Sequence, residues 1–257
     1  MTFKLYLDPG HGGKDRGTSA YGLTEKQVTL LIADRIREIM EQEYADVDVR
    51  MSRAKDTAVP REERTRMANL WNADFFLGIH VNAGDGTGFE DCIYTKAENR
   101  TEEYRSAIHP EIIKATGLTD RGKKKSDFYE LRESRMPAMM TKNGFIETRA
   151  DNEKLRSEMF IEKIARGHVN GIAAAFGLKK KPTVQSRSDQ TGRFLIRVRA
   201  KDLYYYDRPD WSAKDGLVHK GQVFAVVRTL TVNRSKMYAL KNGNFLTANE
   251  NYVEKIL

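Results

Sequence analysis

The sequence contains a single cysteine, Cys92, and no long apolar run. One cysteine cannot form an intrachain disulfide or a metal site built from several thiolates, so any bound metal must be held by His, Asp or Glu side chains. The apolar stretches are far shorter than the ~20 residues that cross a bilayer, and the N-terminus lacks the long apolar region of a secretory signal. We therefore expect no membrane span, no signal peptide and synthesis in the cytoplasm.

Surplus positive charge is absent from most of the chain and concentrated in its tail. Residues 1–178 contain 28 Lys and Arg against 29 Asp and Glu, whereas residues 179–257 contain 16 against 7. The net charge of +8 therefore comes from the tail. This asymmetry predicts a module attracted to a polyanion, and it leaves nucleic acid, an anionic polymer and an anionic lipid surface open as alternatives.

The stretch KKKPTVQSRSDQTG (179–192) has almost no apolar residues and predicts an exposed linker. It separates a predicted first domain, 1–178, from a predicted second domain, 193–257. In the first domain, strand-like and helix-like patterns alternate. Strands are predicted at 3–7, 47–51, 74–81, 89–95 and 137–142, and helices from residue 24 to about 40, at 60–71, at 101–115 and at 152–176. This order predicts an α/β fold, in which a twisted, mostly parallel sheet is flanked by helices.

After the linker the pattern becomes β-rich. Short runs at 193–200, 203–207, 221–232, 235–242 and 244–248 are separated by Gly, Asn and Asp. They predict a small antiparallel barrel or sandwich.

Two histidines and one glutamate fall where an α/β sheet gathers its ligands. His11 lies in the glycine-rich turn LDPGHGGKD (7–15) after the first strand, and His80 lies near the end of a later strand. Glu25 begins a helix next to a predicted Thr24 cap. Because loops at the carboxyl ends of strands meet at one rim, the three side chains can converge, and two imidazoles with one carboxylate form a common catalytic zinc site. Spacing alone leaves this open, since histidines fall near strand ends by chance.

Several motifs, in order, resemble those of the zinc-dependent N-acetylmuramoyl-L-alanine amidases of the Amidase_3 type, which occur in bacterial autolysins and phage endolysins. The motifs are LDPGHGGKDRG (7–17), GLTEKQVTLLIADRI (22–36), SRAKDTAVPREERTRMANLWNAD (52–74, including Arg53, Asp56, Arg64, Ala68 and Asn69), ADFFLGIHVNA (73–83) and GFE (88–90). The likeness covers about residues 3–178. Carried over motif by motif, it implies that His11, Glu25 and His80 bind Zn²⁺.

The resemblance also implies an activity. In the family, zinc polarises the amide carbonyl and activates water, so that the bond between N-acetylmuramic acid and L-alanine is hydrolysed. A family glutamate, two residues before a Gly-Phe pair, acts as general base. Aligning on Gly144 and Phe145 puts Lys142 at that position, and a lysine is no base at neutral pH unless its pKa is lowered.

Three interpretations of Lys142 stay open. The lysine is an inactivating substitution, or it stabilises the oxyanion electrostatically, or Glu147 takes the place of the missing glutamate. The first is favoured and the third has the least support. Glu90 matches an acidic position of the family near the groove, where contact with substrate and stabilisation of the turn are equally expected.

The remaining predictions in the first domain concern single residues. Cys92 lies in a strand-like stretch and is predicted to be a buried thiol. His109 is predicted to be a surface or capping residue, and His168 to be structural. The run RGKKK (121–125) is predicted to be a solvated loop, and a position beside the substrate cleft is left open.

The tail interleaves many aromatic residues with Arg and Lys, which suits nucleic-acid stacking, sugar stacking or the core of a small barrel. Its stretch SKMYALKNGNFLTANENYV (235–253) resembles the closing strands of bacterial SH3-like cell-wall-binding domains. Together with an amidase domain, this favours binding to an anionic wall polymer over nucleic acid.

The sequence as a whole therefore predicts a phage endolysin, or an autolysin, that acts on the peptidoglycan of a Gram-positive wall. It would be made in the host cytoplasm and reach the wall after a membrane lesion or lysis. A catalytically impaired wall-binding protein, because of Lys142, is the first alternative. A nucleic-acid-binding protein that uses the basic tail is the second.

Overall fold

The computed structural model describes residues 2–181, 194–232 and 235–256, which divide into two compact units, Met1–Lys181 and Pro182–Leu257. Residues 182–192 of the predicted linker lie outside the described residues, so the predicted domain bounds stay predictions. The last described residues of the first unit are fixed to it, since Lys181 N donates to Glu43 O and Ala45 N donates to Lys179 O. Within the described ranges no helix has the length and apolarity needed to cross a membrane.

The first unit alternates strands and helices, as predicted. Its elements are β1 (Phe3–Pro9), β2 (Ser19–Ala20), β3 (Leu23–Thr24), α1 (Glu25–Glu43), β4 (Val47–Met51), α2 (Arg61–Trp71), β5 (Phe75–Asn82), β6 (Phe89–Tyr94), α3 (Asn99–Thr116), β7 (Asp120–Ser126), α4 (Tyr129–Glu133), β8 (Ala138–Phe145), α5 (Arg149–Leu155) and α6 (Glu158–Phe176).

Six strands form one mixed sheet in the order β4-β1-β5-β8-β6-β7. Every neighbouring pair is parallel except β8 and β6, which are antiparallel. Alternate residues of the central strands face opposite sides. Leu5 and Leu77 pack in the core beneath α1, α3 and α6, whereas Tyr6 and Phe76 pack in a smaller core with residues of α2 and α4. The prediction of an α/β fold with a mostly parallel sheet is confirmed.

Two predicted elements were wrong. In place of the single helix predicted at 152–176 there are two helices, α5 and α6, separated by Arg156 and Ser157. Ser157 is the N-cap residue of α6, and its backbone is extended. The run 121–125 is not a loop but belongs to β7, which pairs with β6 at an edge of the sheet. Its three lysines are exposed. Because β7 lies at the edge of the sheet, one side of its backbone has no partner strand among the described residues, and charged side chains on such an edge discourage pairing with another chain.

The second unit is all-β. Its strands are β9 (Phe194–Val198), β10 (Asp202–Tyr206), β11 (Lys214–His219), β12 (Val223–Val232), β13 (Ser235–Leu240), β14 (Phe245–Thr247) and β15 (Val253–Lys255). They form an antiparallel sheet in the order β11-β10-β14-β13-β12-β9-β15, over a small core that includes Ile196, Val226 and Leu246. The all-β class is confirmed, while the SH3-like barrel stays a prediction.

Candidate metal centre

His11, Glu25 and His80 come from three different elements of the first unit and meet at one edge of the sheet. β1 ends at Pro9 and β5 runs parallel beside it, with Pro9 in register with Ile79, so the turn that carries His11 passes next to His80. Gly10 permits this approach, since a Cβ there would lie 2.2 Å from Cε1 of His80. Glu25 is the first residue of α1.

The three side chains offer ligand atoms that all lie within 4.8 Å of one another. His11 Nε2 is 3.1 Å from Glu25 Oε2, and His80 Nδ1 is 3.1 Å from Glu25 Oε1. At the ligand distances typical of zinc, two atoms of a tetrahedral site lie about 3.4 Å apart. Among the described residues this is the only cluster of His, Cys, Asp and Glu that is arranged in this way. Two imidazoles and one carboxylate in this arrangement fit a zinc ion.

Glu25 is a buried carboxylate that stays ionised. Burial raises its pKa, but hydrogen bonds with His11 and His80 outweigh this effect and hold the pKa well below its ordinary value. The backbone N–H groups of Thr18 and Val81 also donate to its two oxygens, at 3.1 and 3.2 Å. Both oxygens are therefore fixed in place, and the carboxylate supplies a negative charge beside the two imidazoles.

His11 is oriented by a second carboxylate, Asp15, that the sequence reasoning missed. Asp15 Oδ2 lies 2.8 Å from His11 Nδ1, which leaves Nε2 to face Glu25. The pKa of His11 is raised, mainly by its hydrogen bond with Glu25. A carboxylate that binds the outer nitrogen of a ligand histidine fixes its tautomer and ring orientation. The signal in the sequence was the position of Asp15, four residues after His11 within the same glycine turn.

Lys142 lies directly beside the candidate metal ligands. It is in register with His80 of β5 on one side and with Glu90 of β6 on the other, so the three side chains form a row on one face of the sheet. Lys142 Nζ is 3.8 Å from Glu90 Oε1 and 5.5 Å from the ring centroid of Phe128. Glu90 also accepts from Arg121 Nε at 3.3 Å. Glu90 is therefore a strand residue held between two cations.

Glu147 follows β8, and its carboxylate is already engaged. The backbone N–H of Gly84 donates to Glu147 Oε2. Glu147 would have to break this hydrogen bond before its carboxylate could act as a base at the candidate site. From the sequence, too, Glu147 had the least support as the replacement base.

A cavity of about 410 Å³ adjoins the candidate metal centre and is lined in part by His11 and His80. Ala58, Val59 and Pro60 form part of its wall, between β4 and α2. The sequence placed this segment within a family motif but gave no indication that it lines a cavity.

His109 was expected to be a surface or capping residue, and this prediction was wrong. It is buried in α3, where Nδ1 is hydrogen-bonded to Asp91 Oδ2 and Nε2 lies 2.9 Å from Asp120 Oδ1. Burial lowers the pKa of His109, but the two carboxylates outweigh it and raise the pKa. His109 therefore fastens α3 to β6 and β7, and it does not belong to the cluster of candidate metal ligands.

The predictions for His168 and Cys92 agree with the structure. His168 is fully buried, its Nδ1 donates to Ile164 O at 2.8 Å, and its Nε2 lies 3.1 Å from Thr141 Oγ1. Burial lowers the pKa of His168 to about 4, so it is neutral at ordinary pH. Cys92 is buried, and burial raises the pKa of its thiol.

Comparison with known proteins gives consistent similarities. Residues 5–174 match the Amidase_3 family model, described as N-acetylmuramoyl-L-alanine amidase. The chain is 48% identical over 200 residues to the sporulation-specific N-acetylmuramoyl-L-alanine amidase of Bacillus subtilis, which covers 78% of each chain. It is 36% identical over 267 aligned residues to the endolysin of Bacillus phage SPP1, covering 98% of both chains. A crystal structure of an N-acetylmuramoyl-L-alanine amidase from Clostridium difficile superposes with a TM-score of 0.67 at 31% identity, over 68% of this chain and 97% of the other.

Proposed function

Because the chain belongs to the N-acetylmuramoyl-L-alanine amidase family of peptidoglycan amidases, we propose that it is a zinc-dependent hydrolase of the bond between N-acetylmuramic acid and L-alanine. The observation that carries the proposal is the convergence of His11, Glu25 and His80 at one edge of the sheet. The similarity to a phage endolysin over nearly the whole chain supports an endolysin role.

The roles of the residues follow from their contacts. His11 and His80 would hold zinc through the nitrogens that face Glu25, and the Glu25 carboxylate would offset part of the positive charge of the ion. With zinc on Nε2, Asp15 would accept a hydrogen bond from Nδ1 of His11 and hold the ring in place. When bound, zinc supplies a Lewis acid that polarises the scissile carbonyl and acidifies water. The cavity beside Val59 and Pro60 would accept groups that flank the amide.

A second candidate function is binding to the wall with little or no turnover. It is favoured by Lys142, a cation at the position where the family resemblance expects the general base. The lysine lies beside His80 and has Glu90 as its ion-pair partner. In the alternative that retains activity, Lys142 would stabilise the negative charge that develops on the amide oxygen.

The second unit is proposed to be an SH3-like module that binds the wall. Its all-β fold and the excess of Lys and Arg, 13 against 7 Asp and Glu over residues 182–257, support attraction to an anionic polymer of a Gram-positive wall. The protein would act on that wall after a membrane lesion or lysis.

The test measures metal content and amide cleavage on the same full-length samples. We expect about one zinc per chain, and new L-alanine amino groups and a fall in turbidity when purified walls are added. His80→Ala should lose both zinc and cleavage, whereas His219→Ala, an exposed histidine of the second unit, should keep both.

Two results separate the proposals. Absence of zinc from the unaltered protein after incubation with the metal contradicts the zinc-dependent hydrolase. One bound zinc with intact muramic acid amides supports the non-hydrolytic wall binder.

A further inference from the structure

We propose that Arg53 and Arg64 are positioning residues that hold the turn bearing His11 in the geometry needed for the metal, an inference that rests on the zinc site of the proposed function. Neither side chain touches the three candidate ligands' metal-facing atoms. Both guanidinium groups instead donate hydrogen bonds to backbone carbonyls of the turn that follows β1.

Arg64 connects α2 to the turn. Its Nη1 donates to Asp8 Oδ1 at 2.6 Å and to Pro9 O at 2.8 Å, and its Nη2 donates to His11 O at 2.8 Å. Its Nε donates to Val59 O at 2.9 Å, in the wall of the adjoining cavity. One buried guanidinium thus fixes the backbone of a candidate ligand and one side of the space where substrate would bind.

Arg53 connects two of the three ligand-bearing segments. Its Nε donates to Pro9 O at 3.0 Å, and its Nη2 lies 2.9 Å from Gly10 O, immediately before His11. The same Nη2 also lies 2.8 Å from Lys26 O, in the residue that follows Glu25. The Arg53 side chain therefore fixes the turn relative to the start of α1. In this way it also fixes the imidazole of His11 relative to the carboxylate of Glu25.

The backbone of the turn needs this support. His11 has φ 62°, in the left-handed region that residues with a Cβ rarely adopt. Its carbonyl is the one that accepts from Arg64, and the preceding carbonyl, of Gly10, accepts from both Arg53 and the Thr29 hydroxyl at 2.9 Å. Such a conformation persists where the surroundings over-determine it, and these hydrogen bonds provide that restraint.

Electrostatics alone would not place these residues here. Two guanidinium groups next to a cation site repel the cation. Of the two arginines, only Arg64 forms an ion pair within the described part of the chain, in which its Nη1 lies 2.6 Å from Asp8 Oδ1. Arginine suits the role because its planar fork binds several carbonyls at once, whereas lysine presents a single ammonium on a flexible stem. Replacement by lysine therefore keeps the charge and removes the geometry.

The experiment compares full-length Arg53→Lys and Arg64→Lys with the unaltered protein. Zinc affinity is measured by competition with a chromophoric chelator, and the visible spectrum of the Co²⁺-loaded protein reports the ligand geometry. We expect a 10- to 100-fold weaker zinc affinity in each variant and an altered Co²⁺ spectrum. Arg66→Lys is the matched control, because Arg66 lies on α2 and pairs with Glu63 at the surface, and it should stay within two-fold.

The outcomes distinguish this inference from the proposed function. If the unaltered protein binds no zinc, both fail. If it binds zinc, and folded variants bind within two-fold of it with the same Co²⁺ spectrum, only the positioning role is overturned. Urea unfolding of the metal-free proteins identifies the folded samples. Should Arg64→Lys leave Asp8 unpaired and fail to fold, Arg53→Lys decides the question.

Discussion

Lys142→Glu is the substitution that tests the candidate site most directly. It places a carboxylate beside His80 at the position where the family resemblance expects a general base. A positioned general base contributes about 10²- to 10⁴-fold to the rate of such a reaction. If Lys142 is the reason for impaired turnover, amide cleavage should rise by a factor in that range.

The same change should lower stability slightly. Lys142 and Glu90 are directly opposite each other on β8 and β6, 3.8 Å apart, with side chains 24% and 14% exposed. Replacing an attractive cross-strand pair with two carboxylates removes one favourable interaction and adds one unfavourable one, each worth up to about 1 kcal/mol. Arg121, which remains beside Glu90, offsets part of the repulsion. We expect the free energy of unfolding to fall by about 1 kcal/mol.

The assay follows new L-alanine amino groups released from purified walls, at equal zinc loading, with urea unfolding measured on the same samples. Lys142→Gln is the matched control, since it removes the cation without supplying a base. The expected order is a large gain for Lys142→Glu and little or none for Lys142→Gln.

Two results would refute this reasoning. Equal activity of the unaltered protein and the Lys142→Glu variant would show that the position needs no carboxylate. An equal gain in the glutamine variant would show that the ammonium inhibits and that the missing base is not the cause.

Three further predictions follow from the structure. Gly10→Ala should weaken zinc binding at least ten-fold in a chelator competition, because its Cβ would lie 2.2 Å from the His80 ring, whereas Gly78→Ala, whose Cβ would meet Met140 at 3.5 Å, should not. Lowering the pH from 6.5 to about 4 should reduce the free energy of unfolding by up to about 3 kcal/mol through His168, because the unfolded chain binds a proton there that the folded chain excludes. In urea titrations at several pH values, the His168→Gln variant should lack this dependence of the unfolding free energy on pH. Binding of the full chain to Gram-positive walls should weaken as salt is raised, and should also weaken on walls stripped of anionic polymer; salt-independent binding would argue against the charged tail.

The sequence predicted the central sheet and the convergence of three side chains at its edge, because both predictions rest on short stretches of sequence. That the three side chains bind a metal stays a prediction. Apolar runs identify β1, β5 and β8, and family motifs carry His11, Glu25 and His80. The break between α5 and α6 was missed because neither residue between the two helices, Arg156 or Ser157, is a Gly or Pro. The helical spacing of apolar residues also continues across the break. β7 was missed because an edge strand can be almost entirely polar.

What the sequence could not show are interactions with partners that are distant along the chain. His109 is buried because Asp91 and Asp120 reach it from two strands, and its own helix offers no sign of this. Arg53 and Arg64 donate mainly to backbone carbonyls, which every residue possesses and which no pattern of residue types marks.

The buried state of Cys92 has a practical consequence. Its thiol is enclosed in the first unit and its pKa is raised, so it resists maleimide reagents at neutral pH. A cysteine introduced at the surface of each unit would then accept a fluorophore or spin label without prior removal of the native one. Distances between such labels could then be measured on the protein alone and after it is mixed with purified walls.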